Sequence, residues 1–401
     1  MNLQSGLPYW LIKNGLLFDY PKLEQNIATD VLVMGGGISG ALTAYHLLNA
    51  GIDCIVADGR SIGLGSTCAS TSLLQYEIDV PLVKLQNKIG IANAVHAYQL
   101  CALSIEKLAT IASKISFTDF ALKKSLYFAA HKKHMSFLNA EYNIRKENNF
   151  KVHYLNKSEI KDLFNFEAPG AILSEAGGVT NAYGFTHALH QYNLNRGGRV
   201  YDRTFIKEID HSKNQVKLRT AKGMTITAKK LIYANGYEAI NYISKKIIDL
   251  NSTYATASES DITEKVRWKG DVIYWNTAQP YLYIRSTTDG RIIVGGRDEK
   301  FYNPRKRDKL IDIKTAALKK DFNYLFPQVE FNPEFSWTGV FGATSDGLPY
   351  IGPYKKLPNS YFALGFGGNG ITFSLIAAEI ITGLILGKKY EDAGIFGFER
   401  N

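Results

Sequence analysis

Gly35, Gly37 and Gly40 stand in the run Gly35-Gly36-Gly37-Ile38-Ser39-Gly40, whose G-x-G-x-x-G spacing suits a turn that cradles a diphosphate. The first glycine permits the tight turn, the second lets backbone approach the pyrophosphate, and the third lets a helix pack closely on a strand. The helix start adds unpaired N–H groups and a positive dipole end. With 35 glycines in 401 residues chance alone supplies roughly 0.3 such strings, so the flanking residues must decide. Thr29-Asp30 lead into the apolar run Val31 to Met34, and a helical pattern runs from Ala41 to Gly51. Asp53 to Ala57 then read as a second strand, ended by Asp58. A carboxylate about 20 residues beyond the first glycine is where a ribose hydroxyl is bound. Asp58, in place of a basic side chain, favours FAD or NAD over NADP, with Arg60 as the cation in reach of a 2′-phosphate.

A second cluster, Gly365-Phe366-Gly367-Gly368-Asn369-Gly370, spells the same string and precedes the apolar helical run Ile371 to Leu386. The tail from Lys388 to Asn401 offers no strand ending in an acid, so a second βαβ unit cannot be completed. Backbone packed this closely before a helix start suits an anionic or electron-rich group such as the flavin of FAD. It also reads as a plain helix-starting turn in the core. A third signal, Leu231-Ile232-Tyr233-Ala234-Asn235-Gly236-Tyr237, is an apolar strand ending in a small-residue turn, preceded by a hairpin-like run from Val200 to Thr227.

Together these segments are similar to a known family. The chain resembles the FAD-dependent D-amino-acid oxidase superfamily, which holds glycine and sarcosine oxidases and gamma-glutamylputrescine oxidase. Four blocks carry the resemblance: Val31 to Gly40, Gly65-Ser66-Thr67, Trp337 to Pro353 (WTGVFGATSDGLPYIGP) and Gly365 to Gly370. The resemblance implies an α/β fold: a Rossmann-like FAD-binding domain of the two-dinucleotide-fold type beside an α+β substrate domain on a mixed or antiparallel sheet. The expected division is 1–85, 183–242 and 336–401 for FAD, and 86–182 and 243–335 for substrate.

It further implies that Gly35, Gly37, Ile38, Ser39 and Gly40 hold the pyrophosphate, and that Asp58, Gly59 and Arg60 face the adenosine ribose. Gly65, Ser66, Thr67, Ser72 and Leu73 would meet phosphate or ribityl groups, and Ile206 would hold adenine through its backbone. Ala234, Asn235, Gly236, Gly339 and Gly342 complete the cofactor set, with Gly367, Gly368, Asn369, Gly370, Ile371 and Thr372 at the flavin. Two departures matter. Members that clamp an α-carboxylate often have Arg in the Trp-x-Gly-x-Arg position, where Phe341 stands here, so a simple α-amino acid loses its bidentate anchor. Covalent flavin linkage uses a Cys where Gly339 stands, so noncovalent FAD is expected.

The middle of the chain, with helical stretches such as Val83 to Ile115 and strands such as Leu126 to Ala129 and Val272 to Trp275, would build the substrate domain. Its most informative piece runs from Tyr281 to Gly296 and reads as a hairpin. Period-two alternation puts Tyr281, Tyr283 and Arg285 on one face and Leu282 and Ile284 on the other, so the first face is expected to roof the substrate cavity, with Arg285 anchoring a distal carboxylate. Phe341 and Tyr350 join them as catalytic-site candidates, and Tyr76 is a weaker one. Glu77 reads as a surface or ion-pair carboxylate, and the basic cluster Arg305 to Lys309 as solvated.

At ~150 residues per domain the length implies two or three domains. The net charge of +10 fits a soluble surface and only weakly a nucleic-acid partner. Cys54, Cys68 and Cys101 form neither a disulfide framework nor a metal cluster, and the eight histidines show no ligand spacing, so no metal is expected. No export signal opens the chain, and Ile371 to Leu386, interrupted by Glu379, falls short of the roughly 20 apolar residues that span a bilayer. A cytoplasmic FAD-dependent oxidoreductase is therefore expected, taking a small amine or amino acid and passing hydride from its C–N carbon to flavin N5. An RNA-binding tRNA-modification oxidase and a flavin-binding module without amine oxidation are the alternatives. Oligomeric state and electron acceptor leave no trace in the sequence.

Overall fold

Alternation along the first strand divides its side chains between two cores. Val31 and Val33 join Cys54 and Val56 in one, and Leu32 and Met34 join Ile55 and Ala57 in the other. Strands apolar on both faces belong inside a covered parallel sheet. The computed structural model, which describes residues 1–265, 269, 271–389 and 392–400, has such a sheet, parallel across its first four strands and antiparallel at the last two. Its order is Arg199–Tyr201, Cys54–Ala57, Ile27–Met34, Thr225–Tyr233, Val216–Thr220, Ile206–His211. Leu231, Ile232 and Tyr233 pair in parallel with Leu32, Val33 and Met34 on one side and with Ser360, Tyr361 and Phe362 on the other. The helices Ile38–Asn49, Ala182–Asn195, Ile91–Lys114 and Gly370–Ile385 pack together over the first core.

A nine-stranded sheet lies beside it, ordered Gln4–Gly6, Pro333–Ala343, Asp249–Ser258, Ile292–Glu299, Tyr283–Ser286, Val272–Asn276, Lys124–Phe128, Gly170–Ser174, Val152–Asn156. Only Val272–Asn276 against Lys124–Phe128 is parallel. The alternation expected at Tyr281 holds: Leu282 and Ile284 enter a core with Leu318 and Phe322 of the helix Ile311–Leu325, while Tyr281 and Tyr283 share the opposite face.

Three local expectations need correction. The helical stretch from Val83 is two helices, Leu82–Ile89 and Ile91–Lys114, parted at Gly90, whose φ of 80° is closed to most side chains. Sheet membership also crosses the expected domain boundaries. Gln4–Gly6 pairs with Pro333–Ala343 in the second sheet, and the stripe Ala94, Ala97, Cys101, Ile105, Leu108 seats the helix Ile91–Lys114 among the helices of the first. Within the basic cluster, Arg307 is not solvated but fully buried, donating to the Asn2 carbonyl at 3.1 Å and Asn2 Oδ1 at 3.2 Å. Among the described residues no helix is long and apolar enough to cross a membrane, and no group of three acids, histidines or cysteines is placed to hold a metal.

Glu77 is an ion-pair carboxylate, but deep inside. Arg145 donates to Glu77 Oε1 at 3.1 Å and to Glu141 Oε1 at 2.9 Å, and Glu141 in turn accepts the Leu82 and Val83 N–H groups that open the next helix. All three charged side chains are buried. Removing one member of such a set leaves uncompensated charge. Arg145→Met is therefore expected to lower the unfolding free energy by about 3–5 kcal/mol in denaturant titrations, and a loss under 1 kcal/mol would show the set to be dispensable.

Candidate active site

The first glycine bend is closed by contact rather than by sequence habit. Gly35 has φ +117°, and a Cβ there would lie 2.4 Å from the Ala234 carbonyl oxygen; a Cβ on Gly40 would lie 1.8 Å from the Gly35 carbonyl oxygen. Strand, bend and helix thus touch backbone to backbone. Asp58 reaches back from the neighbouring strand end, accepting from the Gly36 N–H at 2.7 Å and the Arg60 N–H at 2.8 Å. Its burial holds the carboxyl above the usual range despite those donors. Thr67 Oγ1 accepts the Ile38 N–H at 3.1 Å, and His190 Nε2 donates to the Gly36 carbonyl at 3.1 Å. Burial lowers the His190 pKa to about 4, so the ring is neutral and its Nε2–H tautomer holds the bend.

From this bend a cavity of about 530 Å³ runs to the second one, lined by Gly35, Gly37, Ile38 and Ser39 at one end and by Gly365, Gly367, Gly368, Gly370 and Ile371 at the other. Between them lie Asp58, Gly59, Arg60, Gly65, Ser66, Thr67, Ser72, Leu73, Ile206, Ala234, Asn235, Gly236 and Gly339. Three buried polar atoms on the cavity lining, Ser66 Oγ, Asn235 Oδ1 and Asp298 Oδ1, have no hydrogen-bond partner. A long molecule with a diphosphate in its middle fits: closely approaching backbone and helix N–H groups take its charge, and orphaned polar atoms await partners. Gly370 and Ile371 stand in the first turn of Gly370–Ile385, where N–H groups lack partners within the helix.

Four of the expected cofactor residues are off the cavity wall. Gly40 acts by packing. The Gly342 carbonyl accepts the Gly367 N–H at 3.1 Å, and Asn369 turns its amide to the Gln75 and Glu77 carbonyls at 3.0 and 2.8 Å. Thr372 Oγ1 donates to the Asn369 carbonyl at 2.8 Å. These residues shape the bend from behind.

Comparison with known proteins agrees with this geometry. The family model described as FAD dependent oxidoreductase (DAO) matches residues 30–384. The chain belongs to the DAO family of FAD-dependent oxidoreductases. It is 26% identical over 388 residues to gamma-glutamylputrescine oxidoreductase of Escherichia coli (strain K12), covering 92% of this chain and 86% of that one. To a glycine oxidase of Bacillus licheniformis it is 23% identical over 384 residues, covering 92% and 96%. A crystal structure of glycine oxidase from Geobacillus kaustophilus superposes with a TM-score of 0.76 at 18% identity, over 93% of this chain and 99% of that one. Like the rest of the family, this chain is an FAD-dependent enzyme.

Beyond the second bend the cavity wall of this DAO-family chain continues. Tyr281, Tyr283 and Phe341 line it, as expected. Two acids missed in the sequence stand with them. Asp79 accepts the Gly368 N–H at 2.8 Å and the Tyr281 hydroxyl at 3.1 Å; it is reachable by solvent yet closely walled by protein, which raises its pKa. Asp298, at the end of the strand Ile292–Glu299, lines the cavity with Tyr283 and Thr253. Burial lifts its pKa to about 6, the Asp79 charge adding to the rise while Thr253 and Lys314 oppose it. Neither acid sits in a motif, which is why the sequence hid them.

Arg285, expected to anchor a distal carboxylate, lies off the cavity wall. It lies four residues along the strand from Tyr281, ~13 Å at the usual rise, and this carries its guanidinium past the cavity. There it donates to the carbonyls of Thr180 at 2.7 Å, Ser72 at 2.9 Å, Thr71 at 3.3 Å and Ser286 at 3.0 Å, and it lies over the Trp10 ring. Desolvation lowers its pKa to about 10. Tyr350 is also off the wall, stacked on Phe398 with the Arg400 guanidinium 3.7 Å from its ring centre. Tyr76 is buried against Phe150 and Tyr98, away from the cavity.

Arg285→Ala should lower stability by about 2–3 kcal/mol through the carbonyls it leaves unpaired, with the holoprotein's preference between carboxylate-bearing and carboxylate-free amines unchanged; a stable variant with a shifted preference would restore Arg285 to the substrate. Asp298 has the opposite stability sign. Its folded pKa of about 6 exceeds the ordinary 3.8, so the native state holds the extra proton and stability is lost as pH rises through that window. Asp298→Asn should accordingly gain on the parent protein between pH 3.8 and about 6 and keep a constant advantage above. Parallel unfolding curves across that range would remove the buried charge from the account.

Proposed function

We propose that this enzyme oxidises the C–N bond of an amine or amino acid to an imine, on noncovalently held FAD, and that water then releases the carbonyl product. The observation that carries the reading is that the two glycine bends and the Tyr281–Tyr283–Phe341 wall line one cavity, in which substrate carbon and flavin would meet. The relatives support it through their names, gamma-glutamylputrescine oxidoreductase and glycine oxidase, both of which denote compounds carrying an amino group.

When bound, the flavin supplies the two-electron acceptor, taking hydride at N5. The chain's own residues align and desolvate. Tyr281 and Tyr283 have hydroxyl pKa values pushed well up by burial, so both stay neutral and act as walls and hydrogen-bond donors rather than as bases. The Tyr281, Tyr283 and Phe341 rings would desolvate the reacting nitrogen and favour its free amine, whose lone pair becomes the new C=N bond, against the opposing pull of the Asp79 and Asp298 carboxylates. The first turn of Gly370–Ile385 would offer its N–H groups and dipole to the electron-rich end of the ring.

Anaerobic mixing of the yellow holoprotein with a panel of amines and amino acids is expected to bleach the flavin, with one carbonyl product formed per flavin reduced. If no amino compound bleaches it while a hydroxy acid or polyol does, C–N oxidation is the wrong reaction. The rate should follow the substrate's own amine pKa, because no side chain on the wall titrates near it; a limb that stays fixed when the substrate is changed would contradict this.

A further inference from the structure

Charge divides the cavity into two unlike ends. At the adenosine end Arg60 donates to Glu238 at 3.0 and 2.6 Å, and the N-terminal amine also meets Glu238. Among the described residues Arg60 is the sole Lys, Arg or His side chain on the cavity wall. At the other end stand Asp298 and, beside Gly368, Asp79, with Tyr281 under the influence of both. Asp79 is occupied by the Gly368 N–H and the Tyr281 hydroxyl. Asp298 is different: its Oδ1 is buried and accepts from no donor. Lys314, the cation that acts on it, is itself held by Glu299 at 2.5 Å.

A buried carboxylate oxygen without a partner is costly unless a ligand supplies one. An α-carboxylate is the wrong ligand. It would meet like charge with no fork of donors, since Phe341 replaces the arginine that often clamps such a group and Arg285 is turned onto carbonyls. A cation is the right one, but it cannot be the reacting nitrogen, which needs its lone pair free to form C=N. Two nitrogens are therefore required.

We infer that the substrate is an alkyl amine carrying a second cationic amino group and no α-carboxylate, with Asp298 holding the second ammonium while the first amino group is oxidised against Tyr281, Tyr283 and Phe341. This rests on the C–N oxidation reading and names its substrate class. The step balances as before: the carbon next to the first nitrogen loses hydride to the flavin, that nitrogen gives a proton to solvent, and the distal ammonium is unchanged.

The test uses holoprotein reduced beforehand and kept anaerobic, so that binding is measured without turnover. Calorimetric titration with 1,4-diaminobutane, n-butylamine and 4-aminobutyrate is expected to show the diamine binding about tenfold or more tighter than the monoamine, as a charge-assisted hydrogen bond gives, with the amino acid weakest. Asp298→Asn should bring diamine and monoamine within about threefold of each other while leaving the monoamine's affinity near its parent value. A diamine no tighter than butylamine in the parent protein, or a preference that survives in Asp298→Asn, overturns the inference. If the diamine binds as expected but never bleaches the oxidised holoprotein, the ligand class stands and C–N oxidation falls. If amines bleach it without any diamine preference, the reverse holds.

Discussion

The backbone contact between Gly40 and the Gly35 carbonyl governs everything downstream. With a side chain's Cβ only 1.8 Å from that oxygen, no other residue lets the helix Ile38–Asn49 start where it does. That start fixes the direction of the helix's free N–H groups, and the same bend is pressed from the far side by Ala234 and tied from the flanks by Asp58, Thr67 and His190. Four separate stretches of chain thus converge on six residues. A diphosphate site of this kind is preorganised: the donors are in place before the ligand arrives, and the fold has already met the entropic cost of holding them.

The opposite end of the cavity adds buried charge to backbone contacts such as that of the Gly367 N–H with the Gly342 carbonyl. Arg285 gathers carbonyls from Thr71, Ser72 and Thr180, which lie on two different segments, and so pins the cavity-lining stretch around Ser72 to the nine-stranded sheet. Arg145 does comparable work between Glu77 and Glu141. A buried guanidinium is a poor source of net stability, but it is directional, and its fork accepts only one arrangement of acceptors. The Ser72 carbonyl also accepts the Thr180 N–H at 3.1 Å, so the cation adds a second donor to backbone already joined there. That places two arginines in structural service and takes them away from any anionic ligand.

What was legible in the sequence follows from the range of the interactions involved. The strand–turn–helix around Gly35, the returning strand at Leu231, the long helix after Gly370 and the face alternation at Tyr281 are each written within a dozen residues, because steric and periodic rules are local. Asp79 and Asp298 were not legible. Their roles exist only where the bend at Gly368 meets the end of the strand Ile292–Glu299, and neither residue type is unusual for a loop or a strand end. Arg285 was misread for the same reason in reverse. Its face was correct, but how far along the strand the cavity stops is set by the neighbouring Trp10 and the Ser72 loop, which the alternation pattern does not contain.

The sign of the charge at the flavin end follows from what this chain did with its cations. A wall that must accept an α-carboxylate needs a fixed, desolvated fork, and a fork of that kind next to an electron-rich ring would also attract the reduced flavin's charge away from the helix start at Gly370. With Phe341 on that wall, the N–H groups of Gly370 and Ile371 would be the positive element offered to the ring. On the far wall burial and the Asp79 charge raise the Asp298 pKa, while Thr253 and Lys314 oppose the rise. An apolar Phe341 and the unpartnered Asp298 oxygen would then belong to one electrostatic arrangement, with positive potential from backbone at the ring and negative potential from a side chain toward the substrate's far end.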